Sequence, residues 1–146
     1  MRTDNERACE WLEANGHGTV EHCVARSGGD TCDSWELTLV SGARVFLKTH
    51  AAPPAEMFAA EAAGLTELRR SGTVRVPAVI HADPSFLLLE FIAPGVAGNA
   101  CSRRLGHALA RLHRTEAPCF GFLMDNWCGT TPQPNPRDTD GHAFFA

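Results

Sequence analysis

The only lysine of the chain, Lys48, is the residue whose type and position most directly suggest chemistry. Lysine and arginine together number 13, and every other member of this set is arginine. Lys48 follows the hydrophobic run 45–47, and the two-residue period of a strand places it on the same face as Phe46. Its ammonium group would then lie beside an apolar ring that could border a purine. A lysine that protects an edge strand against aggregation is the alternative interpretation.

Glu61 supplies the carboxylate that such an ammonium group needs as a partner. It falls at helical spacing with Phe58 and Leu65, on the predicted buried face of a helix. A carboxylate removed from water needs a cationic partner, because burying an unpaired charge is very costly. We therefore predict an ion pair between Glu61 and Lys48. The alternative is a glutamate at the rim of the apolar stripe, in water.

Two adjacent glycines, Gly28 and Gly29, lie between the first two predicted strands, within Ser27-Gly28-Gly29-Asp30. Glycine lets a backbone approach phosphate groups closely and present its N–H groups to them. The segment matches neither the Gly-x-Gly-x-x-Gly loop of protein kinases nor a Walker loop, so an ordinary hairpin turn is the alternative. Nearby Cys32 could sense redox state, or it could be a buried and inert thiol.

The apolar run 86–92 ends with Glu90, Phe91 and Ile92 and passes directly into a linker that contains Pro and Gly residues. A hinge at this place would offer backbone hydrogen-bonding groups to an adenine ring. A plain core strand is the alternative interpretation. His113 follows an apolar helical stripe, and we interpret it as a histidine at a helix end and not as a catalytic base.

These residues need a sheet and a helix to position them, and hydrophobic periodicity predicts both. Thr3-Asp4-Asn5-Glu6 has the spacing of a capping box and predicts an opening helix. A period of two predicts a three-stranded antiparallel meander at 20–25, 35–39 and 45–49. We predict a helix over 53–70, strands over 76–81 and 86–92, and a second amphipathic helix with Leu105, Ala108, Leu109 and Leu112 on its apolar stripe. Beyond Pro118 we expect an irregular tail.

Composition and charge exclude several classes of protein. With 146 residues, 44% hydrophobic and 21% charged, and a formal net charge of -4, the chain is typical of a soluble globular protein with one domain. The acidic balance argues against nucleic-acid binding. No apolar run suits a signal peptide or a membrane span, so we expect a cytoplasmic protein without a membrane partner. Six cysteines without a Cys-x-x-Cys pair predict reduced thiols, most of them buried, and no zinc site.

The predicted order of elements is helix, three strands, helix, two strands, linker, helix and tail. This order predicts an α+β fold with a five-stranded antiparallel sheet and one inserted helix. It resembles the small lobe of the protein-kinase-like fold, followed by the first helix of a truncated large lobe. We therefore place a nucleotide-binding small lobe at 1–92, and a hinge linker with the incomplete start of a large lobe at 93–146.

A succession of sequence blocks resembles, in order, the signature blocks of the fructosamine kinase (ketosamine-3-kinase) family. The blocks lie at 28–30, 45–49, 57–65, 74–77, 89–91, 105–113 and 129–135. The block around Glu61, the Val76-Pro77 pair and the Pro-Gln-Pro-Asn loop at 132–135 are the specific ones in this succession. The resemblance covers nearly the whole chain after Val20.

The resemblance implies a fold similar to that of the aminoglycoside phosphotransferases. It also implies ATP- and Mg2+-dependent phosphorylation of the hydroxyl on the third carbon of ketosamine adducts, a reaction that frees the amine and serves deglycation. By the same resemblance, Lys48 would hold the alpha and beta phosphates, Glu61 would position Lys48, and the loop with Gly28 and Gly29 would cover the phosphates. Residues 90–92 would be the hinge. The implied partners are a nucleotide and a small-molecule or protein-bound ketosamine.

The family pattern is incomplete in this chain. Family members are longer, and their second half carries a His-Gly-Asp loop with the catalytic base and a later aspartate for the metal; neither has a counterpart in the printed sequence. We therefore expect no catalytic residue, no metal ligand and no turnover from this chain alone. Two other interpretations are kept: another small-molecule kinase of the aminoglycoside phosphotransferase type, and a non-catalytic nucleotide-binding or interaction module.

Overall fold

An antiparallel sheet of five strands, with one helix on each face, organises the chain up to residue 90. The computed structural model describes residues 3–27, 31–96 and 98–145. The strands are β1 (Val20–Arg26), β2 (Asp33–Leu39), β3 (Arg44–Thr49), β4 (Val79–Ala82) and β5 (Phe86–Glu90). They lie in the order β1-β2-β3-β5-β4, all antiparallel. The predicted five-stranded α+β sheet is therefore confirmed.

The remaining elements are helices and a small hairpin. The helices are α1 (Asp4–Ala14), α2 (Met57–Arg70), α3 (Asn99–Leu112) and the short α4 (Gly141–Phe144). The hairpin consists of β6 (Asn126–Cys128) and β7 (Thr131–Gln133). The predicted insertion of one helix after the third strand is confirmed as α2. Within the described ranges, no helix has the length and apolar character needed to cross a membrane.

Helix α1 covers one face of the sheet. The predicted capping box is present, because Thr3 Oγ1 accepts the N–H of Glu6 at 3.3 Å and the Glu6 carboxylate accepts the N–H of Thr3 at 2.8 Å. The buried side of the helix packs through Leu12 against Leu47 of β3 and Leu88 of β5. This cluster is one of two hydrophobic cores.

Helix α2 covers the opposite face and builds the second core. Phe58 is fully buried there against the side chains of β5, including Leu89, and the ring of Phe46 packs at the margin of the cluster. The alternation of β3 therefore divides its side chains as predicted: Leu47 points toward α1, whereas Phe46 and Lys48 lie on the side of α2.

Strand β3 is the central strand of the sheet. Lys48 pairs with Ser34 of β2 on one side and with Leu87 of β5 on the other. An edge-strand lysine would lack one of these neighbours. The strand order thus excludes the interpretation of Lys48 as protection for an exposed edge.

Three predicted boundaries are wrong, and proline contributes to two of them; the third is the strand predicted over 86–92, which ends at Glu90. The helix predicted over 53–70 begins at Met57, after Glu56 in a left-handed conformation with φ 61°. A residue that precedes a proline is disfavoured in the helical conformation, so the pair Pro53-Pro54 keeps residues 52 and 53 out of the helix, and the left-handed Glu56 then sets the start at Met57. The strand predicted over 76–81 is Val79–Ala82, because Pro77 has no N–H to donate to a ladder.

The predicted apolar stripes are buried less than expected. On α2, Leu68 is 42% exposed, whereas Ala60 is buried. On α3, Leu105 and Leu109 are exposed and only Ala108 is buried. In the part of the chain that the structure describes, α3 does not pack closely against another helix or strand, which leaves Leu105 and Leu109 exposed, while Leu112 is partly buried.

The prediction of an irregular tail beyond Pro118 is wrong. Besides the β6–β7 hairpin, Phe120 and Asp138 form a backbone bridge that closes the tail on itself. Gly121 makes this closure possible, since its φ is +91° and an added Cβ would lie 2.2 Å from the carbonyl oxygen of Pro136. Three-residue strands held by side-chain contacts leave no hydrophobic period from which they could be predicted.

The prediction that most cysteines are buried is also wrong. All six thiols are free, but Cys23, Cys101 and Cys128 are exposed and the other three are only partly buried. Cys23 lies on the edge strand β1, and Cys101 lies on the unpacked helix α3. Cys23 is exposed because β1 has a neighbouring strand on one side only. Cys101 is exposed because α3 packs closely on no helix or strand in the described part of the chain.

Candidate functional site

The ammonium group of Lys48 is held by both carboxylate oxygens of Glu61. The Lys48 Nζ atom lies 2.6 Å from Glu61 Oε1 and 2.7 Å from Oε2. The side chains are 22% and 28% exposed, so the pair is shielded but still open to solvent on one side. The predicted ion pair is confirmed.

The two partners are positioned by elements with separate anchors. Lys48 is fixed by its place in the middle of the sheet, and Glu61 lies one turn after Phe58, the residue that anchors α2 in the second core. A partly exposed ion pair contributes only about 0–1 kcal/mol to stability. The pair therefore adds little to the stability of the fold, and its two contacts restrict the orientation of the Lys48 ammonium group.

A cleft of about 450 Å³ opens beside Phe46 on the same side of the sheet. Its walls come from the end of β1, from β3 and from the segment that follows β5, and its lining residues are Ala25, Arg26, Ser27, Arg44, Phe46, Phe91, Ile92 and Pro94. The rings of Phe46 and Phe91 offer apolar surface to a flat ligand. The structure thus brings the predicted residues Phe91 and Ile92 to a cleft that begins two residues before Lys48 on β3.

The backbone after β5 is available for recognition. Strand β5 ends at Glu90, so Phe91 and Ile92 lie outside the ladder. Among the described residues, the backbone N–H and carbonyl of Ile92 have no hydrogen-bond partner. Groups of this kind at the wall of a cleft can pair with the edge of a heterocyclic base.

The side-chain carboxylate of Glu90 already accepts three hydrogen bonds. Its carboxylate accepts the N–H of Ala78 at 3.0 Å, a guanidinium N–H of Arg75 at 3.1 Å and one of Arg69 at 3.5 Å. The hydrogen bond from Ala78, followed by that from Arg75, lowers the pKa of Glu90. The side chain of Glu90 therefore anchors the start of the linker, and its backbone N–H is engaged as well, since it donates to the carbonyl of Ala78 at 2.8 Å. The predicted role of Glu90 in the hinge stays a prediction.

A charged network along the cleft was not foreseen from the sequence. Glu36, buried on β2, accepts Arg44 Nη1 at 3.2 Å and Arg26 Nε at 2.9 Å, and Arg26 Nη2 contacts the same carboxylate. The Arg44 guanidinium carbon lies 4.3 Å from the centroid of the Phe91 ring. The sequence carries no signal for it, because Glu36 occupies a polar position between Trp35 and Leu37, where the alternation indicates an exposed side chain.

The predicted phosphate loop falls largely outside the described residues. Gly28, Gly29 and Asp30 belong to that part of the chain, so their predicted role stays a prediction. Thr31, which follows them, lies against the turn of the β6–β7 hairpin: a Cβ placed on Gly129 would be 3.6 Å from Thr31 Cγ2.

Metal-binding geometry is not found in this part of the protein. Across residues 3–27, 31–96 and 98–145, no group of three or more His, Cys, Asp or Glu side chains could hold a metal ion. His113 lies at the C-terminal cap of α3, as the sequence predicted. No step of the chemistry is therefore assigned to a metal held by these residues.

A five-stranded antiparallel sheet whose inserted helix presents a glutamate to a lysine on the central strand defines the small lobe of the protein-kinase-like fold. The chain belongs to the fructosamine kinase family, since the family model described as fructosamine kinase matches residues 4–146.

Relatives and solved structures agree with this assignment. A Synechocystis protein named "Probable ketoamine kinase" is 38% identical over 126 residues, covering 82% of this chain and 42% of its own. The rice (Oryza sativa subsp. japonica) chloroplastic protein-ribulosamine 3-kinase is 30% identical over 148 residues, covering 94% of this chain and 42% of its own. The crystal structure of a candidate fructosamine-3-kinase from Haemophilus somnus 129PT superposes with a TM-score of 0.80 at 25% identity, covering 94% of this chain and 49% of that one. The chain thus spans less than half the length of these relatives.

Proposed function

We propose that this chain is the nucleotide-binding half of an ATP-dependent ketosamine kinase. The bidentate contact between Lys48 and Glu61 carries the proposal, because it fixes an ammonium group on the same face of β3 as Phe46, which lies two residues away and lines a cleft with aromatic walls. Such an arrangement suits a ligand with a flat base at one end and phosphates at the other. The names of the ketoamine and ribulosamine kinase relatives support the kinase class and the ketosamine acceptor.

The residues present fit an adenine nucleotide in named roles. Lys48 would hold the alpha and beta phosphates, and Glu61 would keep its ammonium group aimed at them. Phe46 and Phe91 would contact the two faces of the base, and the backbone of Ile92 would pair with its edge. ATP would be the phosphoryl donor, with Mg2+ as its counter-ion held by groups outside the described residues.

The loop with Gly28 and Gly29 would cover the phosphates in this proposal. The division into a small lobe at 1–92 and a linker with the start of a second lobe at 93–146 accompanies it, since the cleft lies where β5 passes into the linker. The protein of which this half is part would transfer phosphate to the third carbon hydroxyl of a ketosamine. No residue of this chain is assigned the catalytic base.

Isothermal titration calorimetry with ATP and Mg2+ tests the proposal on the chain itself. We expect weak but measurable binding, and we expect Lys48→Met to weaken it, since the loss of one charged phosphate contact corresponds to roughly 1.5–3 kcal/mol, about a tenfold or larger change in Kd. Arg70→Met is the matched control, because it also removes one positive charge but belongs to an exposed pair with Glu67 on α2. Equal affinity for wild-type and Lys48→Met proteins would contradict the role of Lys48.

A further inference from the structure

The side chain of Asn135 links the two strands of the β6–β7 hairpin. The amide nitrogen of Asn135 donates to Asn126 Oδ1 at 3.0 Å and to the carbonyls of Gln133 and Met124 at 3.2 and 3.3 Å. The backbone N–H of Asn135 donates to Asp125 Oδ1 at 2.8 Å. The asparagine of the Pro-Gln-Pro-Asn block thus fixes a hairpin of only three residues per strand, which alone would be unstable.

The hairpin lies on the side of α2 that the sheet does not cover. Strand β6 packs against α2, and Asn126 and Trp127 line a cavity of about 290 Å³ together with Glu61 of the helix. Ala60 and Gly64 line the same cavity. These small residues leave the cavity open between the hairpin and the helix, next to the carboxylate that holds Lys48, and an added Cβ at Gly64 would meet nothing within 4 Å.

The turn of the hairpin reaches the second element of the proposed phosphate site. Gly129 lies in this turn with φ +63°, against the side chain of Thr31. Thr31 directly follows the segment with Gly28 and Gly29 in the chain. The hairpin therefore packs on α2 through β6 and lies against Thr31 through its turn.

Helix α2 has the hairpin as a second neighbour beside the sheet. The helix is anchored on the sheet by Phe58 and Leu65, and Arg69 in its last turn donates to the carbonyl of Val76 at 2.8 Å, whereas Leu68 is exposed. A partly exposed ion pair is too weak to hold a helix of 14 residues in place. The packing of β6 on α2 adds to these anchors at the cavity that Glu61 and Trp127 line together.

We infer that Trp127 is a positioning residue for Glu61, and that the hairpin clamped by Asn135 keeps α2 in the orientation in which both carboxylate oxygens of Glu61 reach Lys48. The ion pair itself is a feature of this structure, and only its use in holding phosphates rests on the proposed function. Trp127 acts through Glu61 and is assigned no contact with a reacting group.

Lys48 provides a direct readout because it is the only lysine. The rate at which N-hydroxysuccinimide acetate acetylates Lys48 can be followed by peptide mass spectrometry, separately from the α-amino group. A side chain held by two carboxylate oxygens reacts more slowly than a released one. We expect Glu61→Gln and Trp127→Ala each to raise the rate about two- to fivefold, which corresponds to the loss of a partly exposed ion pair.

A double-mutant cycle distinguishes an effect of Trp127 that acts through Glu61 from a general loss of packing around Lys48. We expect Trp127→Ala to add nothing in the Glu61→Gln background, Trp127→Phe to retain the wild-type rate, and Asn135→Ala to behave like Trp127→Ala. Leu123→Ala, at an exposed tail position before the hairpin, is the control and should leave the rate unchanged. The Asn135→Ala cycle carries the same test if Trp127→Ala does not fold by circular dichroism.

Additive effects of Trp127→Ala and Glu61→Gln, or a wild-type acetylation rate in both hairpin variants, would overturn the inference. ATP titrations on the same proteins keep it apart from the proposed function. A wild-type chain that does not bind ATP but shows the expected coupling would refute the nucleotide role of Lys48 and leave the positioning role of Trp127 intact. ATP binding without coupling between Trp127 and Glu61 would support the nucleotide role of Lys48 and refute the positioning role of Trp127.

Discussion

The guanidinium group of Arg44 stacks on the ring of Phe91, with its central carbon 4.3 Å from the ring centroid. The same guanidinium donates to Glu36 at 3.2 Å, so it joins the sheet to the first residue after β5. Phe91 lines the cleft beside Phe46. The contact therefore fixes one aromatic wall of the proposed base site without lying near Lys48.

This geometry predicts that Arg44 affects binding of the base and not of the phosphates. Arg44→Met removes the cation–π contact, which is worth about 0.5–1 kcal/mol at an exposed site, so we expect the Kd for ATP to rise about two- to fivefold. Binding of inorganic tripolyphosphate should not change. Calorimetry with both ligands measures the difference, and Arg70→Met, which lies away from the cleft, controls for the lost charge. A parallel loss of affinity for both ligands would refute the assignment of Arg44 to the base.

The second prediction concerns acid stability and the buried carboxylate of Glu36. The hydrogen bond from Arg26 is the largest influence on this group, and the pKa of Glu36 is lowered from its ordinary 4.5. Because the folded pKa lies below the unfolded one, the stabilisation is complete above pH 4.5 and is lost as the pH falls through the folded pKa. We expect Glu36→Gln to lower Tm at pH 7 and to reduce the drop in Tm below pH 4.5.

Thermal unfolding between pH 7 and pH 3 measures this effect. Glu67→Gln makes the same change of charge at an exposed position on α2 and should follow the wild-type curve in shape. Since the carboxylate of Glu90 also has a lowered pKa, part of the acid sensitivity should survive in Glu36→Gln. If the two variants have the same pH profile, the network of Arg26, Glu36 and Arg44 does not stabilise the fold.

How far the sequence predicts the molecule depends on the range of the contacts involved. The sheet and the Lys48–Glu61 pair follow from alternation along β3 and from helical spacing in α2, which are properties of single elements. The network around Glu36 depends on which strands are neighbours, because Arg26, Glu36 and Arg44 come from three strands. The sequence places Glu36 in an apolar strand but cannot name its partners.

The tail after Pro118 also depends on contacts that the pattern of a single element does not predict. Its hairpin depends on Asn135, whose contacts with Met124 and Asn126 leave no periodic signal. For α3 the periodic pattern was present but the predicted burial was not found, because an amphipathic stripe is buried only when another surface covers it. In the described part of the chain, no helix or strand packs closely on that stripe.

The third prediction tests the tail through two glycines that share a backbone conformation. Gly121 and Gly42 have φ of +91° and +81°, so alanine at either position costs roughly 1–2 kcal/mol of backbone strain. An added Cβ at Gly121 would also meet the backbone oxygen of Pro136 at 2.2 Å, whereas nothing lies within 4 Å at Gly42. We expect Gly121→Ala to cost a further 1–3 kcal/mol or so, the usual penalty of overpacking.

Amide hydrogen exchange over residues 118–138 is the appropriate measurement, because the tail can open without unfolding the sheet. Gly121→Ala should increase exchange in the hairpin and at Trp127. Gly42→Ala should affect only the β2–β3 turn. Equal protection of the tail in both variants would show that the close approach of Gly121 to Pro136 is not needed for its structure.

The last prediction concerns turnover by the chain of 146 residues. Phosphoryl transfer depends on groups that position the nucleophile and neutralise the transferring phosphoryl group, and the printed sequence contains no His-Gly-Asp loop to provide the base. Lys48 and Glu61 hold only the donor side in the proposed function. We therefore expect ATP binding without phosphorylation of fructosyl-lysine, measured by mass spectrometry of the acceptor after long incubation with ATP and Mg2+. A full-length family member assayed in parallel is the positive control. If the wild-type chain phosphorylates the acceptor and Lys48→Met does not, the residues of this chain suffice for transfer. The proposal that this chain only binds the nucleotide would then be wrong.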